Sequence, residues 1–386
     1  VAASGGDTGE NLMSAHYRCG LVVGKFCPLH RGHELVIGHA LAHCDEVLII
    51  SYTKPGFSGY DCALREAWLK ARFPRTIRLV IDDARLATQC KELGIARLPS
   101  LPADDAPELE HREFVAWLCT DLLHKRPDAV FTSEDYGDGF ARVLAEQFAQ
   151  PVVHVCVDKA RVTHPISGTQ IRKNPHRHRT KLSPEVYASF VRRIGILGGE
   201  SSGKTTLASA LAANLDTTWV PEYGRELWER KDGQLVFDDM VAIGRMQVEK
   251  ERMQLAHAQR FLICDTSPLT TLFYSHAMFG QADPELVRLA ERGYDTIILC
   301  SPDIEFIQDG TRRDSDFRQC QHQWYLEYLN ARGIAHLAMS GPPEKRLAAA
   351  MAYIADSALK APLGHIAGEV LCKELGMNCR CRPEGA

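Results

Sequence analysis

The chain has 386 residues, more than one ordinary core accommodates, so two domains are expected. Its 45 Lys and Arg against 49 Asp and Glu leave a formal net charge of −4, which argues against a large nucleic-acid surface. No apolar run is long enough to span a bilayer, and the start lacks the order of a signal peptide, so a cytoplasmic protein is expected. The 13 cysteines are mostly scattered singly, which suits a reducing compartment where Cys serves as a small buried hydrophobe. Cys372, Cys379 and Cys381 lack a four-ligand zinc pattern.

Residues 1–19 are polar and Gly-rich and read as a flexible tail. A first block follows over 20–182. "GLVVGKF", "EVLIISY", "TIRLVID", "AVFTS" and "PVVHVCV" are strand candidates. "HELVIGHALAHC", "LREAWLKARF" and "HREFVAWLCTDLLHKR" have helical spacing. Strands alternating with helices predict βαβ units and a parallel sheet, with ligands beyond the carboxyl ends of its strands. The segment 183–193 is predicted as a linker helix, with Ser183 as cap and Pro184 at its first position. The basic run Arg177, His178, Arg179, Lys181 before it suits either phosphate contact or a solvated face.

A second block covers 194–358. Its strand candidates are "IGILGG", "TTWVPEY", "RFLICDT", "DTIILC" and "AHLAMS", and its helices include "GKTTLASALAANL" and "DDMVAIGRMQVEKERMQLAHA". Residues 359–386 have weak periodicity and form a second tail. The predicted class is thus α/β, with two doubly wound parallel-sheet domains.

Gly198-Gly199-Glu200-Ser201-Ser202-Gly203-Lys204-Thr205 has the form G-x-x-x-x-G-K-[ST] between an apolar strand and a helix, the setting of a phosphate-binding loop. Its glycines let backbone N–H groups turn around phosphate oxygens, and the helix start adds positive potential. Lys204 is expected to reach the outer phosphates, Thr205 to ligate Mg²⁺, and Thr206 to complete the ATP site. Asp265, ending the strand "RFLICDT", suits the metal or a helix cap before Pro268. Glu222 suits a base for a substrate hydroxyl or a salt bridge with Arg225. Arg312, Arg313 and Arg318 in "DGTRRDSDFR" suit a lid on the transferring phosphate or a solvated loop. Trp219, Tyr223 and Trp228 suit stacking or core packing. The loop alone predicts nucleotide binding. No base-reading N-K-x-D of a G protein occurs.

In the first block, Gly24 to His33 reads G-x-F-x-P-x-H-x-G-H, which resembles the nucleotidylyltransferase superfamily. His30 and His33 are three apart at a helix start and so can face one side, donating hydrogen bonds to a triphosphate in the neutral or protonated form. Gly32 between them is expected to leave space for a phosphate. No third ligand for a zinc ion is evident. The resemblance implies a second phosphate grip of the form I-S-x-T-x-x-R, which is met by Ile166, Ser167, Thr169 and Arg172. Gly168 stands where many members have Ser. Gly24, Phe26, His30, His33, Ser167, Thr169 and Arg172 are then the expected ATP residues, with Arg172 on the leaving pyrophosphate.

Taken together, the two blocks resemble the bifunctional nicotinamide mononucleotide adenylyltransferase/ribosylnicotinamide kinase of the NadR type. The resemblance rests further on "KPGFSGYDCALREAWL", "FTSEDYG", "VPEYGREL" and "DGTR". It implies that the second block phosphorylates nicotinamide riboside with ATP, and that the first joins the mononucleotide to a second ATP to form NAD and pyrophosphate. Tyr136, Glu222, Tyr223 and Arg225 are the implied substrate residues. Mg²⁺ is the implied cofactor, and small molecules rather than nucleic acid or membrane are the partners; a homo-oligomer is left open. Some members carry an N-terminal helix-turn-helix repressor module, which is not expected here. A phosphopantetheine adenylyltransferase fused to a dephospho-coenzyme A kinase has the same domain order and is the alternative pairing.

Overall fold

The computed structural model describes residues 16–96, 99–308, 310 and 312–360. Most of both expected tails, the cysteines Cys372, Cys379 and Cys381, and Asp309 and Thr311 lie outside the described residues. The chain divides into two compact units, one up to Ser189 and one from Phe190.

The first unit runs β1 (Tyr17–Val23), α1 (Arg31–His43), β2 (Cys44–Ser51), α2 (Cys62–Arg72), β3 (Ile77–Val80), α3 (Asp83–Glu92) and α4 (Glu108–Trp117). It continues with β4 (Ala129–Thr132), α5 (Gly137–Phe148), β5 (Val153–Cys156), α6 (Gly168–Lys173) and α7 (Pro184–Tyr187). Its five parallel strands stand in the order β3-β2-β1-β4-β5. A parallel sheet is covered on both faces, which is why β2 and β4 are near-continuous apolar runs. Leu21, Leu48, Ile50 and Val130 pack on one side against Val115 and Leu118. Tyr17 already belongs to β1, so the first strand begins inside the segment expected as tail. The helix α4 extends through a π-helical turn, Leu118–Leu122, as the long apolar pattern there suggested.

The second unit runs β6 (Arg192–Gly198), α8 (Lys204–Asn214), β7 (Trp219–Val220), α9 (Tyr223–Arg230), α10 (Phe237–Leu255), β8 (Phe261–Asp265) and α11 (Pro268–Phe279). Then come α12 (Pro284–Ala290), β9 (Thr296–Cys300), α13 (Ser315–Ala331), β10 (Leu337–Met339) and α14 (Pro343–Lys360). The strand order is β10-β9-β6-β8-β7, again all parallel. Successive strand residues face opposite layers: Ile196 and Ile298 join the core with Leu207 and Leu211, whereas Leu197 and Leu299 join the core with Leu269 and Leu272.

Two expectations change. The strand in "TTWVPEY" stops at Val220, because Pro221 has no N–H for the ladder, and Glu222 stands at the N-cap of α9 rather than at a strand end. The linker helix is short: α7 has four residues, a 3₁₀ turn covers Ala188–Phe190, and β6 begins at Arg192. Ser183 is at its N-cap and Pro184 at its first position, but the serine side chain makes no cap bond. In both sheets the strand order reverses at the first strand of the unit, so the loops after β1 and β6 open at the switch points where α/β sheets bind ligands.

Candidate active sites

The loop after β1 is shaped by its neighbours. Gly24 N donates to Ile50 O at 3.1 Å, tying the loop to β2. Lys25 O accepts from Ser51 Oγ at 3.1 Å and from Arg65 Nη1 at 3.2 Å. Arg65 is buried on α2, and a guanidinium there has to be spent on such acceptors. Phe26 is buried too, and its ring meets the His33 imidazole edge-on at 5.0 Å.

His30 and His33 are stacked, with centroids 3.6 Å apart and planes 19° from parallel, which is the shared face their spacing predicted. The Nδ1 atoms of both are buried without a hydrogen-bond partner. Burial pulls His30 down to about 4, with Arg161 and His164 adding to it. His33 is pulled well below the ordinary imidazole value by burial, then by His30 and Arg161. Of the two forms left open by sequence, the neutral one is therefore present near pH 7. At Gly32 a Cβ would lie 3.2 Å from the His30 ring. The glycine thus lets the imidazole lie flat along the first turn of α1.

A stability prediction follows with a definite sign. The unfolded chain protonates His30 near its ordinary 6.5, while the folded chain resists until about 4. The unfolded state therefore binds more protons in that window, and stability falls as pH drops through it, by up to about 1.4 kcal/mol per pH unit for one proton. Denaturant unfolding at pH 7 and pH 5 measures the loss. It should shrink in His30→Asn, and equal losses in both proteins would refute the assignment.

The residues expected as a second phosphate grip lie at α6. Ser167 caps that helix, its Oγ accepting from Gln170 N at 3.3 Å while Gln170 Oε1 accepts from Ser167 N at 2.9 Å. Arg172 Nη1 donates to Cys27 O at 2.6 Å and Nη2 to Thr169 Oγ1 at 3.0 Å, and its guanidinium lies 4.1 Å over the Phe57 ring. A Cβ on residue 168 would come within 2.9 Å of Cys27 O and 3.2 Å of Arg172 Nη1. Glycine there makes room for the Arg172–Cys27 bond.

These elements enclose a cleft of about 530 Å³ lined by Gly24, Phe26, His30, His33, Ser167, Thr169 and Arg172, with Tyr136 also on its wall. Sequence reasoning missed several lining groups. Arg161, paired with Glu134, and His164 sit on the loop after β5. Lys25 Nζ lies 2.8 Å from the Asp104 carboxylate, which also accepts from Lys54 N at 3.1 Å and from Thr53. Arg161, His164 and Asp104 lie outside the motifs, and Lys25 fills a variable position of the first one.

In the second unit, Gly198 has φ +150 and Gly203 has φ +80, conformations that glycine alone takes cheaply. A Cβ on Gly198 would lie 2.7 Å from Cys300 O, and one on Gly199 2.7 Å from Arg318 O, so the loop is also too closely packed for side chains there. Lys204 Nζ donates to Gly199 O at 2.9 Å, across the turn. Thr205 Oγ1 donates to Asp265 Oδ2 at 2.6 Å, and Asp265 Oδ1 is buried with no partner. Burial pushes the Asp265 carboxyl up against Lys204, the Thr205 bond and Arg225. The cap of α11 is Ser267, whose Oγ accepts from Leu269 N at 3.2 Å, so Asp265 is not the helix cap. Thr206 is exposed on the first turn of α8.

Glu222 keeps part of its surface open to water, yet protein crowds its carboxyl and burial pushes it up. Lys204 and Arg225 oppose that rise, and Asp265 and Glu200 add to it, so the expected acid, cation and metal-side carboxylate do share one neighbourhood. Tyr223 is buried, with the Arg230 guanidinium 5.4 Å and the Lys250 ammonium 4.9 Å from its ring centre. Its ring packs with Met240 and Ile243, and Trp219 packs on the other core, so both take the core-packing reading.

The arginine-rich loop lies against the phosphate loop. Ser201 Oγ accepts from Ile307 N at 3.0 Å and from Arg312 Nη1 at 3.3 Å, and Glu200 Oε2 accepts from Arg313 N at 2.7 Å. Arg318 departs from the lid expectation. It is buried within α13, donates to Ile304 O at 2.9 Å and stacks on Phe306.

Comparison with known proteins places these sites in context. A family model described as an AAA domain matches residues 193–346, the part of the chain that carries the phosphate loop. The trifunctional NAD biosynthesis/regulator protein NadR of Escherichia coli K12 is 30% identical over 304 residues, spanning 76% of this chain and 71% of its own. A NadR protein crystallised with NAD and AMP-PNP shares the fold at TM-score 0.59 and 19% identity, over 91% of this chain and 97% of its own. A NadR protein with NR bound gives TM-score 0.60 at 20% identity, over 90% and 98%. Identity of this level, extending across more than two thirds of both chains, means that the chain belongs to the NadR family.

Proposed function

We propose that the chain carries out both ATP-dependent steps between nicotinamide riboside and NAD. The observation that carries the reading is the presence of two separate nucleotide turns, each at the switch point of its own parallel sheet. Membership of a family whose relative is a NAD biosynthesis protein supports the nicotinamide pairing over the phosphopantetheine one. The ligands held by the NadR neighbours, NAD, AMP-PNP and NR, are those this reading assigns.

In the first unit the mononucleotide phosphate attacks the α-phosphorus of ATP in line, the bond to the β-phosphate oxygen breaks, and pyrophosphate leaves. The nucleophile is already an anion, so no general base is needed, and positioning with charge stabilisation sets the rate. The neutral imidazoles of His30 and His33 donate to the triphosphate. Arg172, held at the cleft by Cys27 O and Thr169, neutralises charge on the leaving group. Tyr136 lines the same cleft as a substrate contact.

In the second unit the primary hydroxyl of the riboside attacks the γ-phosphorus, ADP leaves, and the hydroxyl proton passes to Glu222. A carboxyl pushed up by burial is a better proton acceptor near neutrality, while Lys204 and Arg225 favour its ionised form. Thr205 and the unpartnered Oδ1 of Asp265 fit Mg²⁺, which takes few protein ligands and completes its shell with phosphates and water. Lys204, Arg312 and Arg313 face the transferred phosphate.

Assaying purified protein with nicotinamide riboside and its mononucleotide, against pantetheine-derived substrates, tests the pairing. Within the kinase, Glu222→Gln keeps shape and hydrogen bonding but removes the base. Its kcat should fall by about two orders of magnitude with ATP affinity nearly unchanged. Asp265→Asn should instead raise the Mg²⁺ concentration needed for half-maximal rate. If the metal dependence moved with Glu222 and not with Asp265, the two roles would be reversed.

A further inference from the structure

The phosphate loop of the second unit is gripped from behind by α14. Arg346, in the first turn of α14, is 3% exposed. Its Nη1 donates to Ser202 O at 2.7 Å, its Nη2 to Ser301 O at 3.1 Å and its Nε to Gly341 O at 2.7 Å. Nη2 also donates to Asp303 Oδ1, and Asp303 Oδ2 accepts from Gly341 N at 2.5 Å. One guanidinium thus ties together the phosphate loop, the turn after β9 and the turn after β10.

We propose that Arg346 is a positioning residue for the kinase reaction, holding the phosphate loop in the shape that presents its N–H groups to ATP. The proposal rests on the kinase reading of this unit. Ser202 C=O and Gly203 N–H belong to one planar trans peptide and point in opposite directions. A donor fixed on the carbonyl therefore fixes the N–H on the side away from Arg346. Gly203, at φ +80, adds no side chain that would help hold this peptide in place. Arg346 is not a second phosphate cation: Asp303 neutralises it, and its donors are spent on backbone carbonyls. The fork geometry matters, since a lysine ammonium is a point charge that cannot serve three carbonyls and a carboxylate lying in different directions.

Arg346→Met and Arg346→Lys are compared with wild type for riboside phosphorylation, for adenylyl transfer and for thermal unfolding. In Arg346→Met the kinase KM for ATP should rise roughly ten- to a hundredfold, the range spanned by one or two lost charge-assisted hydrogen bonds. The KM for riboside should move far less, and adenylyl transfer, housed in the other unit, should be unchanged. Arg346→Lys should fall between the two. A lower unfolding temperature with an unmoved KM for ATP would make Arg346 a purely structural residue and overturn the proposal. If Arg346→Met does not fold, Arg346→Lys and Asp303→Asn decide the matter by the same KM, and a wild-type value in both would overturn it. A wild-type chain without riboside kinase turnover would instead overturn the kinase reading itself.

Discussion

His33→Ala is expected to lower adenylyl transfer by a factor on the order of 10² or more, the effect of removing one donor aimed at transition-state charge. The imidazole is held between the His30 ring and the Phe26 ring, which fixes its place in the cleft. Riboside phosphorylation should be nearly intact, because the kinase has its own sheet and phosphate loop. Initial rates of both reactions on one preparation provide the check. Equal loss of both in a folded protein would mean one shared site, and the assignment of one activity to each unit would fail.

Lys204→Ala should show the reverse. It removes the ammonium that lies 2.9 Å from Gly199 O and that the proposed function assigns to the outer phosphates of ATP. The glycine-built backbone of the loop remains, so nucleotide contact through N–H groups persists while charge on the transferring phosphate is no longer compensated. Kinase turnover should fall by a factor on the order of 10² or more. NAD formation from supplied mononucleotide should continue. A variant that retained full kinase rate would show that this loop does not hold the phosphoryl donor, and the second unit would need another function.

Sequence by itself determined the α/β class, the order of the two blocks and the two nucleotide turns. Each of these is encoded locally. The ten residues from Gly24 to His33 and the eight from Gly198 to Thr205 carry their own glycines, their own reactive side chains and the helix that follows. The stacking of His30 on His33 is legible for the same reason, since three residues at a helix start span one turn. The end of β7 was misread even though its cause, Pro221, is local, because apolar and β-branched residues on both sides outweighed one proline in the pattern.

What only tertiary structure decided are properties set by residues distant in the chain. The charge state of His30 follows from burial and then from Arg161 and His164, and that of His33 from burial, then His30 and Arg161; Arg161 and His164 both lie more than a hundred positions away. Arg172 finds Cys27 O across 145 residues, and Arg346 finds Ser202 O across 144. Lys25 meets Asp104 through the packing of two loops that share no pattern. Arg318 reads as one of three lid arginines but is drawn into the core of α13, while Arg312 stays against Ser201. Local sequence specifies a turn because backbone conformation is a short-range matter. It does not specify which buried donor will meet which carbonyl, because that pairing is chosen by how whole layers pack.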